Sequence, residues 1–350
     1  MALRVIQWAT GGVGRAGIGG IVAHPDLELA GVWVHSADKA GRDAGELAGI
    51  DPVGVTATTD VDALLATEAD CVLYSPIMAD DAVVARILAS GKNVVTPLNW
   101  FYPGRRAAAL EAACSEGRTT LHGTGIHPGG ITERFPLMVS ALSQRITHVR
   151  AEEFSDIRTY GAPDVVRDIM LFGKTPEEAA TSPMVQFMGG GFRQSIDMVA
   201  DTLGFRADPR IRTGHEVALA TAPIDSPIGV IEPGLVAAQR FTWEATVDDE
   251  PVITVRTNWF MGQDDLDPAW SFGPKGERFE VEVTGDPSSL VTFHGWHPVS
   301  IEAGLARNPG IVATATHCVS AIPYVVAAPP GIRTYLDLPL IAGRAAPELR

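Results

Sequence analysis

The chain has 350 residues, 46% of them hydrophobic and 20% charged. That length allows about two domains with a sizeable core in each, and the apolar fraction excludes a disordered chain. With 27 Lys and Arg against 42 Asp and Glu the formal charge is −15, a field that repels phosphate backbones and anionic bilayers, so neither nucleic acid nor a membrane is an expected partner.

Residues 1–145 alternate short apolar runs with helical patterns. Val5–Trp8 predicts a strand, Ala16–Ala23 a helix, Leu27–Val34 a second strand and Val53–Thr58 a third. Helices are predicted over Val61–Ala66, Asp80–Ser90 and Arg105–Glu116, between strands at Asp70–Tyr74, Asn93–Thr96 and Thr119–His122. Strand–helix alternation with short connections predicts a parallel sheet covered on both faces. After residue 145 come two helical patterns, Val165–Phe172 and Phe192–Leu203. Alternating segments follow at Glu216–Thr221, Gln239–Val247, Val252–Trp259, Arg278–Val283 and Leu290–Trp296. The expected fold class is α/β, with a Rossmann-type parallel-sheet domain over 1–145 and an α+β domain with a mainly antiparallel sheet over 146–302. The apolar helix Ile311–Val326 has the character of the first domain, so 303–350 is expected to return and complete it. His317, Ser320 and Pro323 interrupt this stretch too often for a membrane span.

Cys71, Cys114 and Cys318 are odd in number, far apart and without a C-x-x-C pair. They predict neither a disulfide framework nor a zinc site, which fits a reducing cytoplasm. Met1 leads straight into a strand with no signal peptide in front, which also predicts a cytoplasmic protein. The spacing His294-Gly295-Trp296-His297 lacks a helix and a third ligand nearby, so no metal is expected.

The strongest motif is Trp8-Ala9-Thr10-Gly11-Gly12-Val13-Gly14-Arg15-Ala16-Gly17. Gly12–Gly14–Gly17 matches G-x-G-x-x-G literally, but Ala9–Gly11–Gly14 sits at the strand end, where a dinucleotide fingerprint belongs. Thr10, Gly11, Gly12, Val13 and Gly14 are therefore expected to present backbone N–H groups and a helix N-terminus to a pyrophosphate. After the second strand, Val34-His35-Ser36-Ala37-Asp38-Lys39-Ala40-Gly41-Arg42 has no acid at the strand end for ribose hydroxyls. Ser36 can donate to a 2′-phosphate, Lys39 or Arg42 can neutralise it, and His35 can stack on adenine. NADP is favoured, and NAD stays open.

The loop after the fourth strand places Ser75 and Pro76 along the cofactor. After the fifth, Asn99 is a candidate substrate contact, and Trp100 is read as either pocket wall or packing. Gly123-Thr124-Gly125-Ile126-His127-Pro128 follows the sixth strand. Thr124 is a candidate cofactor contact there, and His127 a candidate general acid. Glu153 and Asp156 open the second domain as candidate substrate or proton-transfer groups.

These segments resemble the dihydrodipicolinate reductase-like oxidoreductases, and within them the 2,4-diaminopentanoate dehydrogenase and native amine dehydrogenase branch. The matching residues are Trp8–Arg15, His24–Leu29, Gly41–Gly45, Gly91–Thr96, Tyr102-Pro103 and Gly123–Gly129, with a looser match at Glu153–Asp156 and Phe172–Ala179. The resemblance implies a nicotinamide cofactor, hydride transfer and usually a homodimer. Amine dehydrogenases of this group carry a glutamate just after the fifth strand, where this chain has Leu98-Asn99-Trp100. The expected function is hydride transfer between NADPH and a C=O, C=N or activated C=C bond of a small, partly apolar molecule, with Asn99 and His127 at the reacting centre. Two alternatives stand beside it. One is reductive amination of ketones, with Glu153 or Asp156 in place of the missing glutamate. The other is an NADP-binding sensor without turnover.

Overall fold

Val5 and Ile6 are consecutive, apolar and both fully buried, which a strand allows only if its sheet is covered on both faces. The computed structural model describes residues 2–273 and 277–349, apart from the side chains of residues 105, 106, 185, 187 and 347. It divides into two compact units, Met1–Ile126 with Ile311–Arg350, and His127–Gly310.

The first unit holds a seven-stranded parallel sheet. Its strands are β1 (Leu3–Trp8), β2 (Leu27–Trp33), β3 (Ala57–Thr58), β4 (Cys71–Tyr74), β5 (Asn93–Thr96), β6 (Thr120–Gly123) and a C-terminal strand, Gly331–Ile332. In space they run C-terminal strand, β6, β5, β4, β1, β2, β3. The order reverses between β1 and β4, and a doubly wound sheet binds its ligand outside the carboxyl ends of the strands at that point. Val5, Leu29, Cys71, Leu73 and Val95 face α1 (Gly12–Ala23) and the long helix Pro309–Val326, which buries Cys318, Val319, Ile322 and Val325 against them. Ile6, Trp8, Val72, Tyr74 and Val94 face the other way. There they meet Leu64 of α3 (Val61–Ala66), Val84 and Ile87 of α4 (Asp81–Ala89) and Leu110 of α5 (Ala108–Gly117). The third strand is shorter than its apolar run because Asp43 takes the N–H groups of Val53 (3.0 Å) and Gly54 (2.8 Å) while capping α2 (Ala44–Ala48).

The second unit is built on a seven-stranded, mostly antiparallel sheet. In chain order its elements include β7 (Gln144–Asp156), β8 (Arg212–Ala220), the hairpin β9–β10 (Ile224–Ser226, Gly229–Ile231), β11 (Val236–Val247), β12 (Glu250–Phe260), β13 (Leu266–Asp267), β14 (Arg278–Asp286) and β15 (Ser289–Phe293). The sheet order is β13, β8, β11, β12, β7, β14, β15, and only β12 and β7 run parallel. One face carries Val149, Ala151 and Glu153 of β7. It is covered by α6 (Phe135–Ser140), which packs on β7 and β14, and α8 (Met184–Leu203), which packs on β11 and β12. On the opposite face Arg150 bonds to Glu282 (2.9 Å), Glu280 (3.0 Å) and Glu152.

Three expectations change here. The apolar pattern over Val165–Phe172 gives only one wide turn, Val165–Ile169, and Leu171 leaves the helical region with φ +64°. Helix α8 starts at Met184 rather than Phe192, because Gly189–Gly191 hid its periodicity. Gly189 serves packing: a Cβ on it would lie 2.8 Å from Trp243 Nε1. The units divide at 126/127 and 310/311, not at 145/146 and 302/303. Phe135 stacks on Phe293 at 4.8 Å, so the segment after β6 belongs to the second sheet, and Gly304 of the late helix α9 (Ile301–Ala306) packs on Thr159 after β7.

Trp243 is held between Phe192 (4.3 Å) and Phe241 (6.0 Å) and has no room to yield. Gly189→Val therefore lifts α8 from the sheet. It should cost about 1–3 kcal/mol in urea unfolding, the usual range for overpacking.

Candidate active site

β1 ends at Trp8, and Ala9 turns the chain at φ +76°, the position a glycine occupies in the fingerprint. Gly11 is the N-cap of α1 and supplies no side-chain cap, and no acid lies in the first turn. The leading N–H groups of α1 are thus left for an anion. A Cβ on Gly11 would meet nothing within 4 Å, whereas one on Gly14 would lie 2.1 Å from Ala9 O. Open space at the second glycine and closed packing at the third fit the Ala9–Gly11–Gly14 register and a dinucleotide's pyrophosphate. Gln7, which carried no signal in the sequence, braces this turn from below. Its Nε2 donates to Ala9 O (3.0 Å) and Ser75 Oγ (2.9 Å). Ser75 buttresses the same turn: its buried hydroxyl accepts from Gln7 and donates to Trp8 O (3.3 Å). Thr10 is buried, Gly12 touches Ile311, and Val13 and Pro76 are half-buried.

At the end of β2, His35 is exposed with its ring 6.0 Å from Trp33. Ser36 begins the turn Ala37–Lys39. The side chains of Lys39 and Arg42 form no hydrogen bond or ion pair with any described residue, while Asp43, the acid beside them, is spent. Backbone N–H groups of Val53, Gly45 and Gly54 hold its carboxyl below the usual range.

At the end of β6 Thr124 is fully buried, bonded to Tyr335 and to His317 Nδ1 (3.2 Å). His317 also bonds Gly125 O (2.7 Å), which explains a histidine in an apolar helix. Asn99 is half-buried after β5. Trp100 is 3% exposed and at φ +60°, in the core cluster of Ile6, Trp8, Tyr74 and Leu110.

In the second unit the structure joins two residues 26 positions apart. His127 Nδ1 lies 2.7 Å from Glu153 Oε2, with side-chain exposures of 3% and 13%. Glu153 Oε1 accepts from Ser155 Oγ (2.7 Å), and Ser155 contacts His297 Nε2 (3.2 Å). Burial pushes the Glu153 carboxyl up, but the hydrogen bond and charge of His127, with Ser155, outweigh it and hold it below its usual range. The Trp259 indole N–H helps hold this charge without reaching hydrogen-bond geometry. Burial lowers His297 despite the pull of Glu153.

Buried polar atoms without partners are uncommon. In this unit they are His127 Nε2, Thr257 Oγ1, Trp259 Nε1 and His297 Nδ1, among the described residues. All four flank one spot. Thr257 lies opposite Glu153 and Trp259 opposite Ser155 in the β12–β7 register, and His127 and His297 bond to those same two residues. Phe192 (4.9 Å) and Phe279 (5.9 Å) bracket the His127 ring. A buried anion beside an imidazole and aromatic faces suits a cation bearing N–H groups. Of the other acids, Glu152 faces the opposite side of the sheet, bonded to Arg150 and Asn258. Asp156 pairs within its own turn. Its carboxylate binds Arg158 Nε (2.9 and 3.0 Å) and caps the turn after β7.

Residues 131–347 match the family model of the 2,4-diaminopentanoate dehydrogenase C-terminal domain. The chain belongs to the 2,4-diaminopentanoate dehydrogenase family. This family member is 33% identical over 355 aligned positions to an amine dehydrogenase from Streptomyces virginiae, covering 97% of this chain and 96% of that one. It is 25% identical over 236 positions to 2,4-diaminopentanoate dehydrogenase from Acetoanaerobium sticklandii, covering 67% and 61%. The solved structure of amine dehydrogenase from Mycobacterium smegmatis shares the fold, with a TM-score of 0.78, 22% identity and 98% coverage of both chains. The protein is an NAD(P)-dependent oxidoreductase, amine dehydrogenase-like.

Removing His127 leaves Glu153 buried and unpaired. Glu153 titrates below its unfolded value, so its contribution is present above that value and disappears as pH falls through the folded one. In His127→Leu we expect a loss of about 3 kcal/mol near neutral pH. Urea unfolding across the acid range should also show a smaller acid-side decline than wild type. An unchanged decline would mean that other carboxylates carry it.

Proposed function

We propose that this protein interconverts a small, partly apolar ketone or aldehyde plus ammonium with the corresponding amine, using NADP(H). The observation that carries the reading is the buried, anionic Glu153 held against His127 and surrounded by partnerless polar atoms. The family's glutamate is absent from the loop after β5, where Asn99 can hydrogen-bond but has no proton chemistry near neutral pH. Glu153 fills that role in this proposal. Carbonyl compound, ammonium and reduced cofactor balance against amine, water and oxidised cofactor. When bound, the nicotinamide exchanges hydride with the substrate carbon. Glu153 accepts N–H bonds from the ammonium or amine nitrogen, and His127 holds and passes the proton that leaves it. Phe192, Phe279 and Trp259 exclude water and hold the apolar part of the substrate.

The N–H groups of Gly12–Gly14 hold the pyrophosphate in this reading, with Ser36, Lys39 and Arg42 on the 2′-phosphate. The free, buried cysteines accord with a cytoplasmic setting, and a homodimer built through the second unit belongs to the same proposal.

NADPH oxidation measured against ketones and aldehydes, with and without ammonium, tests the reaction. Ammonium-dependent turnover is expected, and Glu153→Gln should lower kcat roughly 10²–10⁴-fold without weakening NADPH binding. Turnover without ammonium would replace this reading with a carbonyl reductase, and binding without consumption would replace it with a sensor. For the cofactor, Lys39→Ser with Arg42→Ser should raise the KM for NADPH by about 10- to 100-fold, since hydrogen bonds to charged groups contribute roughly 1.5–3 kcal/mol. The KM for NADH should stay as it was.

A further inference from the structure

Glu153 is one link of a hydrogen-bonded chain that runs outward through its unit. Its Oε2 meets His127 Nδ1 at 2.7 Å, its Oε1 accepts from Ser155 Oγ at 2.7 Å, and Ser155 Oγ lies 3.2 Å from His297 Nε2. Glu153 and Ser155 alternate along β7 and so share one face of it, while His297 comes from the segment after β15. Phe279, opposite Glu153 in the β14–β7 register, flanks the chain: its ring lies 5.9 Å from that of His127 and stacks on that of His297 at 5.5 Å. His297 is the outermost link. It is half-buried, and Gly295 and Val299 on either side of it are exposed.

Every link of this chain both gives and takes a proton. A hydroxyl holds one proton and two lone pairs, a carboxylate becomes a donor once protonated, and an imidazole can bind a proton at one nitrogen and give one up at the other. The chain therefore closes in either direction. With Glu153 ionised, His297 Nε2–H donates to Ser155 and Ser155 donates to Glu153. With a proton on Oε1, Glu153 donates to Ser155 and Ser155 donates to the bare Nε2 of His297. At each end one imidazole nitrogen is left over. His127 Nε2 and His297 Nδ1 have no hydrogen-bond partner among the described residues.

The reaction proposed above needs such a path, and the inference rests on that reading. An alkyl amine, like a lysine side chain, is cationic near neutral pH, so each amine formed takes up one further proton and each amine oxidised gives one back. We propose that Ser155 and His297 relay this proton between solvent and Glu153. In amination a proton binds His297 Nδ1, and the Nε2–H bond breaks as its proton passes to Ser155 Oγ. The hydroxyl's own proton passes to Glu153 Oε1, and Glu153 delivers it to the amine nitrogen. Oxidation runs the same transfers backwards, and no electrons leave the chain in either direction. Ser155 and His297 act through Glu153 and touch no substrate. The electrostatics agree. Burial lowers His297 and His294 lowers it further, outweighing the pull of Glu153 and Asp156, so its ring is neutral near neutral pH and has a lone pair to accept with.

The test uses the full chain. His297→Gln keeps an amide N–H for Ser155 but cannot pass a proton, and Ser155→Ala removes the middle link. Both should lower kcat for NADPH-dependent amination by about 10²-fold with the KM for the carbonyl compound retained, the low end for losing a proton-transfer group. In His297→Ala, which leaves space for a ring, added imidazole at constant ionic strength should restore most of kcat, while wild type does not respond. A histidine that only packs or holds Ser155 predicts full activity in His297→Gln and no response to imidazole, and either result overturns the relay. A raised KM with kcat intact overturns it too, by making His297 a substrate contact. Nitrogen NMR of the imidazole rings without substrate reads the chain itself. Wild-type His297 should carry its proton on Nε2 and lose that preference in Ser155→Ala; a signal that Ser155→Ala leaves unchanged overturns the proposal. If wild type turns over no carbonyl compound with ammonium, the proposed reaction fails, and the ring signals still decide for or against the chain.

Discussion

A carboxylate taken out of water must find a partner or a proton, and the second unit of this protein withdraws two of them. Glu153 takes a partner. Its 2.7 Å contact with His127, backed by Ser155, keeps it charged at 13% exposure. Glu133 is fully buried and accepts from the hydroxyls of Ser195 and Thr132. Both outcomes depend on the packing of α8 against the sheet, because Phe192 and Ser195 of that helix touch His127 and Glu133. Gly189, which lets α8 approach Trp243, therefore supports the site from outside it.

In the first unit the corresponding constraint is the turn after β1. The Ala9 carbonyl occupies the space a Cβ on Gly14 would need, and Gln7 ties that carbonyl to Ser75 across the switch point of the sheet. The turn is thus fixed by neighbours on two strands, which leaves the helix N-terminus free for an anion instead of being spent on its own cap. The same division of labour appears beside β2. Asp43 closes a local structure, and among the described residues Lys39 and Arg42 form no side-chain hydrogen bond or ion pair.

Strand β7 shows why a run of acids is ambiguous until a sheet is built. Glu152 and Glu153 are neighbours, so they point to opposite faces. One joins Arg150 and Asn258 in a ladder of charges, and the other enters the recess with His127. Asp156 ends the strand and is claimed by Arg158 two residues on. Three acids in five positions have three different tasks.

Periodicity alone determined much of this protein. The strand–helix alternation up to β6, the parallel sheet, the mainly antiparallel second sheet and the glycine register at the strand end are all set by short-range pattern, and so is the family resemblance. Strand β7 was only partly legible, because Gln144–Arg150 alternates around a charged face and lacks the apolar signal of a strand. The tertiary structure alone decided the site. It paired His127 with Glu153, gave Ser75, Trp100 and Asp156 their partners within the fold, and brought in Gln7 and Tyr335, which carried no motif. The physical reason is range. A residue's preference for helix or strand is felt over a few positions of chain, whereas hydrogen bonds and the desolvation of a charge depend on atoms that strand register and helix packing bring together from anywhere in it.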